Sequence, residues 1–363
     1  MKLTTFLSVA GTLVAMAVSP AFSVVAPPNT PADFTGNWTG DDWSMNTVGV
    51  FQWMAGSAVA ISPHQFLTAS HLNSGIGQGY SVNGVSVTVL NVQHPPGVPG
   101  IALVTVDAAL PVAQWEQMYN GAYTSAHQYT GAYASVPAAI MIGFGISGAT
   151  YPSYYTWDYA TGQKERWGTS RIQSPLPLGD GTMGFSMPYN GASDSATQYE
   201  AGLANHDSGG GTFVKVGDCW QLAGINLSVS PGGQGYATSY AGDVSYAYSW
   251  IIDNTTIPGD ADMDLKVTFK DYLALESGFG KSGATWYNGD FNHDGKVDFK
   301  DYLLIQDNFG KSALLAGTTN LESPATLGSP ADPLVSNVPD PATLALLISG
   351  APILLRRFPR RRI

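Results

Sequence analysis

The sequence predicts a mostly β body built as barrels or sandwiches, followed by a small α-helical domain and a hydrophobic C-terminal tail. Three observations carry this. Charged residues make up only 12% of the 363 positions while glycines number 42, a balance that suits a turn-rich β protein better than a helical bundle. Between about Asp33 and Asn254 the chain is dense in short β-type runs, "VSVTVLNV" and "IALVTV" among them, separated by Gly and Pro clusters. Beyond Asn254 the pattern changes, and acidic segments starting at Gly259 and Gly289 line up 30 residues apart. A chain of this length is expected to hold more than one domain.

Residues 1–23, "MKLTTFLSVAGTLVAMAVSPAFS", have one lysine, an apolar run and then small residues, the layout of a cleaved secretory signal. An exported protein is therefore expected. The single cysteine, Cys219, cannot form an internal disulfide, so the fold must rest on core packing. A formal net charge of −11 argues against nucleic acid as a partner, because no basic face is left to neutralise phosphates.

Within the body, "GSAVAISPHQFLTASHL" gives two strand-like runs joined by the turn Ser62 to Gln65 and ends in His71. Residues 204 to 214 read "ANHDSGGGTFV". The glycines around Ser208 permit positive φ and close backbone approach, as either a nucleophile turn or a plain surface loop would require.

"FLTASHL" resembles the histidine motif of chymotrypsin-like serine proteases and "HDSGGG" their nucleophile motif, in the family's order. "IMIGFGISG" resembles the strand opening the second barrel, "CWQLAGINLS" the strand pair after the nucleophile, and "DVSYAYSWI" the closing helix. The resemblance spans residues 33–254. It implies two six-stranded antiparallel β-barrels of chymotrypsin type and a serine endopeptidase acting on peptide or protein substrates without a catalytic cofactor. Ser208 would attack the peptide carbonyl, His71 would take its proton, and the backbone N–H groups of His206 and Ser208 would form the oxyanion hole. Gly202 falls at the base of the primary specificity pocket, which argues against a preference for Arg or Lys.

Departures from the family pattern accompany these matches. The place of the family's orienting acid is taken by Gly100, which has no side chain. Asp107 lies seven residues along the same run, about 23 Å of strand, and cannot substitute; Asp41 and Asp42 are candidates without positional support. His206 stands where the family has glycine, keeping the N–H but adding a side chain. Asp207 needs an internal cation or donor, for which Arg166 and Arg171 are candidates. These departures keep a second reading open, a catalytically weak or inactive protease-like scaffold.

The repeated segments read "GDADMDLKVTFKDYLALESGFGKS" and "GDFNHDGKVDFKDYLLIQDNFGKS". Oxygen-bearing side chains fall at loop positions 1, 3, 5 and 12: Asp260, Asp262, Asp264 and Asp271, then Asp290, Asn292, Asp294 and Asp301. Lys266 and Lys296 occupy position 7, where the backbone carbonyl serves as ligand. Such a loop wraps Ca²⁺, which takes six to eight oxygens. Gly295 suits the sharp turn at position 6 and Leu265 does not, so the first loop should be strained or bind more weakly. Val267 and Val297, each followed by "FKDYL", predict a short amphipathic helix after each loop. The unit, residues 257–312, resembles a type I dockerin, which implies a cohesin-like partner or docking against the chain's own body.

Residues 313–337 are rich in Ala, Ser, Thr and Pro and read as a flexible spacer. Residues 338–363 hold "VPDP", an apolar run from Ala342 to Leu355 interrupted by Pro352, and five arginines. The run is shorter than the roughly 20 residues of a stable spanning helix. The arrangement resembles a PEP-CTERM sorting signal, with Asp340 in the usual Glu position, and implies transient membrane anchoring at the cell envelope.

Overall fold

The computed structural model describes residues 49–120 and 139–313, except positions 174, 192, 194, 195, 198, 217 and 218. The expected secretory segment, the tail, the spacer beyond Ala313, and Asp41 and Asp42 lie outside the described residues.

Six strands form the first sheet: β1 (Val50–Trp53), β2 (Gly56–Ser62), β3 (Gln65–Ala69), β4 (Gly79–Val82), β5 (Val85–Gln93) and β6 (Ile101–Val106), in the order β1-β2-β3-β6-β5-β4. Alternation along the strands splits their side chains between two cores. Ala58, Ala60 and Phe66 face an inner cluster with Phe51, Trp53, Val87 and Val104, whereas Val59, Ile61 and Leu67 face the second sheet. The rings of Trp53 on β1 and Tyr80 on β4 lie 4.6 Å apart, so the edges of the sheet meet and it rolls around its aromatic core. The expected turn between β2 and β3 is held by Ser62 Oγ donating to Gln65 Oε1 at 2.7 Å.

Seven strands form the second sheet: β7 (Ala139–Gly143), β8 (Arg166–Ser170), β9 (Pro175–Pro177), β10 (Met183–Pro188), β11 (Gly211–Val216), β12 (Cys219–Gly232) and β13 (Gly235–Asp243), in the order β8-β7-β11-β12-β13-β10-β9. The six strands expected for this half are exceeded by β9. Its two prolines are tolerated because it is an edge strand paired only with β10. "CWQLAGINLS", expected as a strand pair, belongs instead to the single 14-residue strand β12. Register shifts at Asn226/Ser228 and Ser230/Pro231 bend that strand without breaking it.

After β13 a 3-10 turn, Val244–Ala247, leads into the closing helix α1 (Tyr248–Asp253). Helices α2 (Phe269–Gly278) and α3 (Phe299–Asn308) follow the acidic loops as the repeat predicts. Each opens on a capping box, Thr268 with Asp271 and Asp298 with Asp301. Their buried residues Tyr272, Leu275, Tyr302 and Ile305, with Val267 and Val297 just before them, join the same core as Met118 and Leu222 of the β body. Trp115 Nε1–H donates to the Asp262 carbonyl at 2.9 Å, and the Met118 N–H donates to Tyr287 Oη at 3.0 Å. The helical domain is thus seated against the body. Among the described residues no helix is long and apolar enough to cross a membrane.

Candidate active site

The β2–β3 hairpin delivers His71 on a 3-10 turn, Ser70–Leu72. Ser70 N–H donates to the Gly100 carbonyl at 2.8 Å and Ser70 Oγ to the Pro99 carbonyl at 2.6 Å, which pins the turn beside the start of β6. His71 is exposed at a cleft of about 310 Å³ that Gly100, Leu178, Asp180, Leu227 and Ser228 also line. Partial burial lowers the pKa of its imidazole, and the Asp180 charge acts in the opposite direction.

Ser208 lies in the turn before β11, and the buried Asp207 organises that turn. The Asp207 carboxylate accepts the N–H groups of Gly145 at 2.7 Å and of Ala204 at 2.7 Å. A Cβ at Gly143 or Gly145 would run into Asp207 Oδ1, which explains the two glycines of "IGFG". Arg166 Nη1 donates to the Gly145 carbonyl at 3.4 Å, bordering the same arrangement, whereas the charge of Arg171 acts on Glu200. Gly209 adopts φ +87° against the Ser57 carbonyl, a conformation and a clearance that only glycine meets. The Ser57 N–H donates to the Ser208 carbonyl at 2.8 Å, tying the first sheet to the turn.

Within this turn the N–H groups of Gly209 and Gly210 donate to Asn226 O and Asp207 O. Among the described residues, those of His206 and Ser208 have no acceptor. An oxyanion hole requires unengaged donors of this kind, aimed at one point. His206 holds the left-handed φ of +77° that glycine would take, at a cost on the order of 1 kcal/mol. Its Nδ1 is bonded to the Ala55 carbonyl, and its own carbonyl accepts Ser57 Oγ–H at 3.2 Å. Ser208 Oγ donates to the Leu227 carbonyl at 3.3 Å rather than to His71.

A second cleft, of about 330 Å³, opens on the other side of Ser208, and Leu227 and Ser228 line both clefts. Its walls include Trp157, Leu203, Ala204, Val229 and Tyr236, with the Trp157 and Tyr236 rings stacked at 3.9 Å. Gly202, expected at the base of the specificity pocket, adjoins Leu203 of this wall but does not itself line the cleft. Tyr155 occupies the space in front of Gly202 and is anchored by its hydroxyl to the Leu203 carbonyl at 2.8 Å.

Gly100 indeed offers no side chain, but the space is occupied. A Cβ built there would meet Thr182 Oγ1 at 2.7 Å and Asp180 Oδ2 at 2.8 Å. Sequence reasoning missed Asp180, which sits 80 positions after Gly100 in the β9–β10 turn; the only local signal was the Asp-Gly turn itself. Asp107 accepts the Thr88 N–H at 2.7 Å at the far end of β6.

In the acidic loops, the Asp260, Asp262 and Asp264 carboxylates converge within 4.8 Å of one another. Asp260 accepts the N–H groups of Asp264 and Leu265, and Asp290 those of Asp294 and Gly295. Asp271 Oδ1 accepts the N–H groups of Ala261 and Asp262, and Asp301 Oδ1 those of Phe291 and Asn292. Lys266 and Lys296 stand in β-bridges with Ser312 and Ser282. Position 6 is left-handed in both loops, φ +71° at Leu265 and +78° at Gly295. Burial, with repulsion from Asp271 and Asp264, raises the Asp260 carboxyl to about 7.

No family model matches the chain, and no curated protein matches it. Among solved structures it is similar to the HtrA-type protease AlgW with a decapeptide, at 19% identity and a TM-score of 0.34 over 55% of this chain and 51% of that one. It is also similar to the inactive form of the Rv3671c protease, at 14% identity and a TM-score of 0.36 over 57% and 90%. For the active form of Rv3671c from M. tuberculosis the values are 14% and 0.35, over 54% and 73%. The chain spans about half the length of AlgW.

Proposed function

We propose that this chain is an exported serine endopeptidase. The observation that carries the reading is the site around Ser208: an Asp207-organised turn with two unengaged N–H donors, at the boundary of two clefts of which one holds His71. On substrate binding Ser208 Oγ leaves the Leu227 carbonyl and turns to His71. Its oxygen attacks the peptide carbonyl as its proton passes to the imidazole. The oxyanion receives the His206 and Ser208 N–H groups, and His71 gives the proton to the departing amine. Water then cleaves the acyl-enzyme, with His71 again the base. The second cleft, with Trp157, Leu203, Ala204, Val229 and Tyr236 in its walls, takes a medium-sized apolar substrate side chain.

The acidic loops are read as Ca²⁺ sites. In the first, the converging carboxylates and the raised carboxyl at Asp260 support this, as a donor set that a divalent cation would relieve. Asp260, Asp262, Asp264, Asp271 and the Lys266 carbonyl would hold one ion, and Asp290, Asn292, Asp294, Asp301 and the Lys296 carbonyl a second. The ion would stabilise this dockerin-like unit and has no part in catalysis. Phe269 and Leu273 on α2, and Phe299 and Leu303 on α3, are exposed at equivalent positions, which supports docking of a cohesin-like partner. The contacts of Trp115 and Met118 support intramolecular docking as well. A leader over residues 1–23 and transient anchoring through residues 338–363 complete the reading.

A second reading, a protease-like scaffold whose loop domain does the binding, is favoured by the Ser208 Oγ bond to Leu227 O. Fluorophosphonate labelling separates the two, because only an activated serine reacts. The peptidase reading expects labelling of the mature protein that Ser208→Ala and His71→Ala each abolish. Equal labelling of wild type and Ser208→Ala would refute it.

A further inference from the structure

We propose that Asp180 is the positioning acid for His71, brought from the second sheet to the place that Gly100 leaves open. The inference rests on the Ser208 and His71 reading and adds to it the group that orients the base. The β9–β10 turn carrying Asp180 is fastened to the first half of the body by two bonds: Met183 N–H to the Gly97 carbonyl at 2.9 Å, and Gly100 N–H to Thr182 Oγ1 at 2.6 Å. A continuous path follows. Ser70 N–H, beside His71, donates to Gly100 O; Gly100 N–H donates to Thr182 Oγ1; and Thr182 N–H donates to Asp180 Oδ1 at 2.9 Å.

The two carboxylate oxygens therefore divide their work. Oδ1 holds the turn, and Oδ2 lies 2.8 Å from where a Gly100 Cβ would be, in the cleft that His71 lines. The missing side chain at Gly100 is what gives Asp180 room, since a residue with a Cβ would displace both Oδ2 and Thr182 Oγ1. Across the cleft the carboxylate charge acts on the imidazole and favours its protonated form. As His71 takes the Ser208 proton, the imidazolium draws the carboxylate to itself, which fixes the ring with its other nitrogen toward Ser208. Among the described residues His94 is a further titratable group beside the His71 turn, its Nδ1 3.1 Å from Ser70 Oγ.

The test compares wild type, Asp180→Asn and Asp180→Glu in the full mature chain, by fluorophosphonate labelling rate against pH. Asn keeps an oxygen for the Thr182 N–H, so the turn stays folded while the charge is lost. Labelling by Asp180→Asn should slow by about 10²- to 10⁴-fold, with partial recovery in Asp180→Glu and an acid limb moved to lower pH. A rate and pH midpoint equal to wild type would overturn the proposal. A second measurement needs no catalysis: the His71 ring titration, followed by NMR in Ser208→Ala, should fall to lower pH when Asp180→Asn is added. An unmoved titration would overturn the pairing even if wild type labels. Failure of wild type to label, with the titration moved as expected, would sink the peptidase reading and leave the pairing standing.

Discussion

The Gly145 N–H donates to the buried carboxylate of Asp207 at 2.7 Å, so the loop after β7 and the Ser208 turn are held as one unit. A Cβ at Gly145 would press on Asp207 Oδ1. Gly145→Ala should cost about 1–3 kcal/mol through overpacking, read as a lower urea midpoint, and should remove fluorophosphonate labelling from the protein that remains folded. Normal stability and labelling would mean that Asp207 does not organise the turn.

Calcium should bind more tightly to the second loop than to the first. Leu265 holds φ +71° where Gly295 holds +78°, and the non-glycine residue carries a cost on the order of 1 kcal/mol. Titration calorimetry should be done on the intact protein, because the loop domain shares its core with the body. Asp301→Ala should remove the tighter phase and Asp271→Ala the weaker. The reverse ranking would refute the strain argument.

Peptide cleavage should favour medium apolar side chains over Arg or Lys at the cleaved bond. Among the described residues the second cleft is lined by aromatic, aliphatic, Ser and Asn residues with no carboxylate to pair a buried cation. A difference in kcat/KM of roughly 10²-fold is expected, measurable on a peptide series differing at one position. Equal turnover of a Lys peptide would remove this cleft as the specificity site.

Stability should respond to Asp243. Burial raises its carboxyl to about 6, and its Oδ2 is buried without a hydrogen-bond partner. The folded state binds this proton more tightly than the unfolded chain, so stability falls as pH rises from about 4 to about 6. Asn retains an oxygen for the Ser245 N–H and hydroxyl bonds of 2.9 and 2.7 Å. Asp243→Asn should therefore stabilise the fold at pH 7, by up to about 3 kcal/mol. It should also flatten the pH slope without abolishing it, because Glu116 and Glu200 are raised by burial too. Identical slopes in denaturant titrations at pH 4 to 7 would exclude the assignment.

Local pattern was enough for much of this molecule. The strand-like runs "GSAVAIS" and "QFLTA" specified β2 and β3, and the repeat at Gly259 and Gly289 specified two loops and two helices, because strand composition and a loop-helix repeat are short-range properties. The left-handed position 6 was legible for the same reason: twelve residues contain the whole turn. The run "CWQLAGINLS" misled, since a bulge that bends a strand and a turn that breaks it differ little in local sequence. What only the tertiary structure decided is whatever depends on chain segments far apart meeting in space. Tyr155 covers Gly202, Asp207 fills the room left by two glycines of β7 and its following loop, and Trp115 clasps the first acidic loop. Asp180 reaches the vacancy at Gly100 by the same means, from a turn on the other sheet. A glycine in a sequence records only that a side chain is missing; which group takes the space is set by packing, where two atoms cannot share one place and each buried polar group must find its partner.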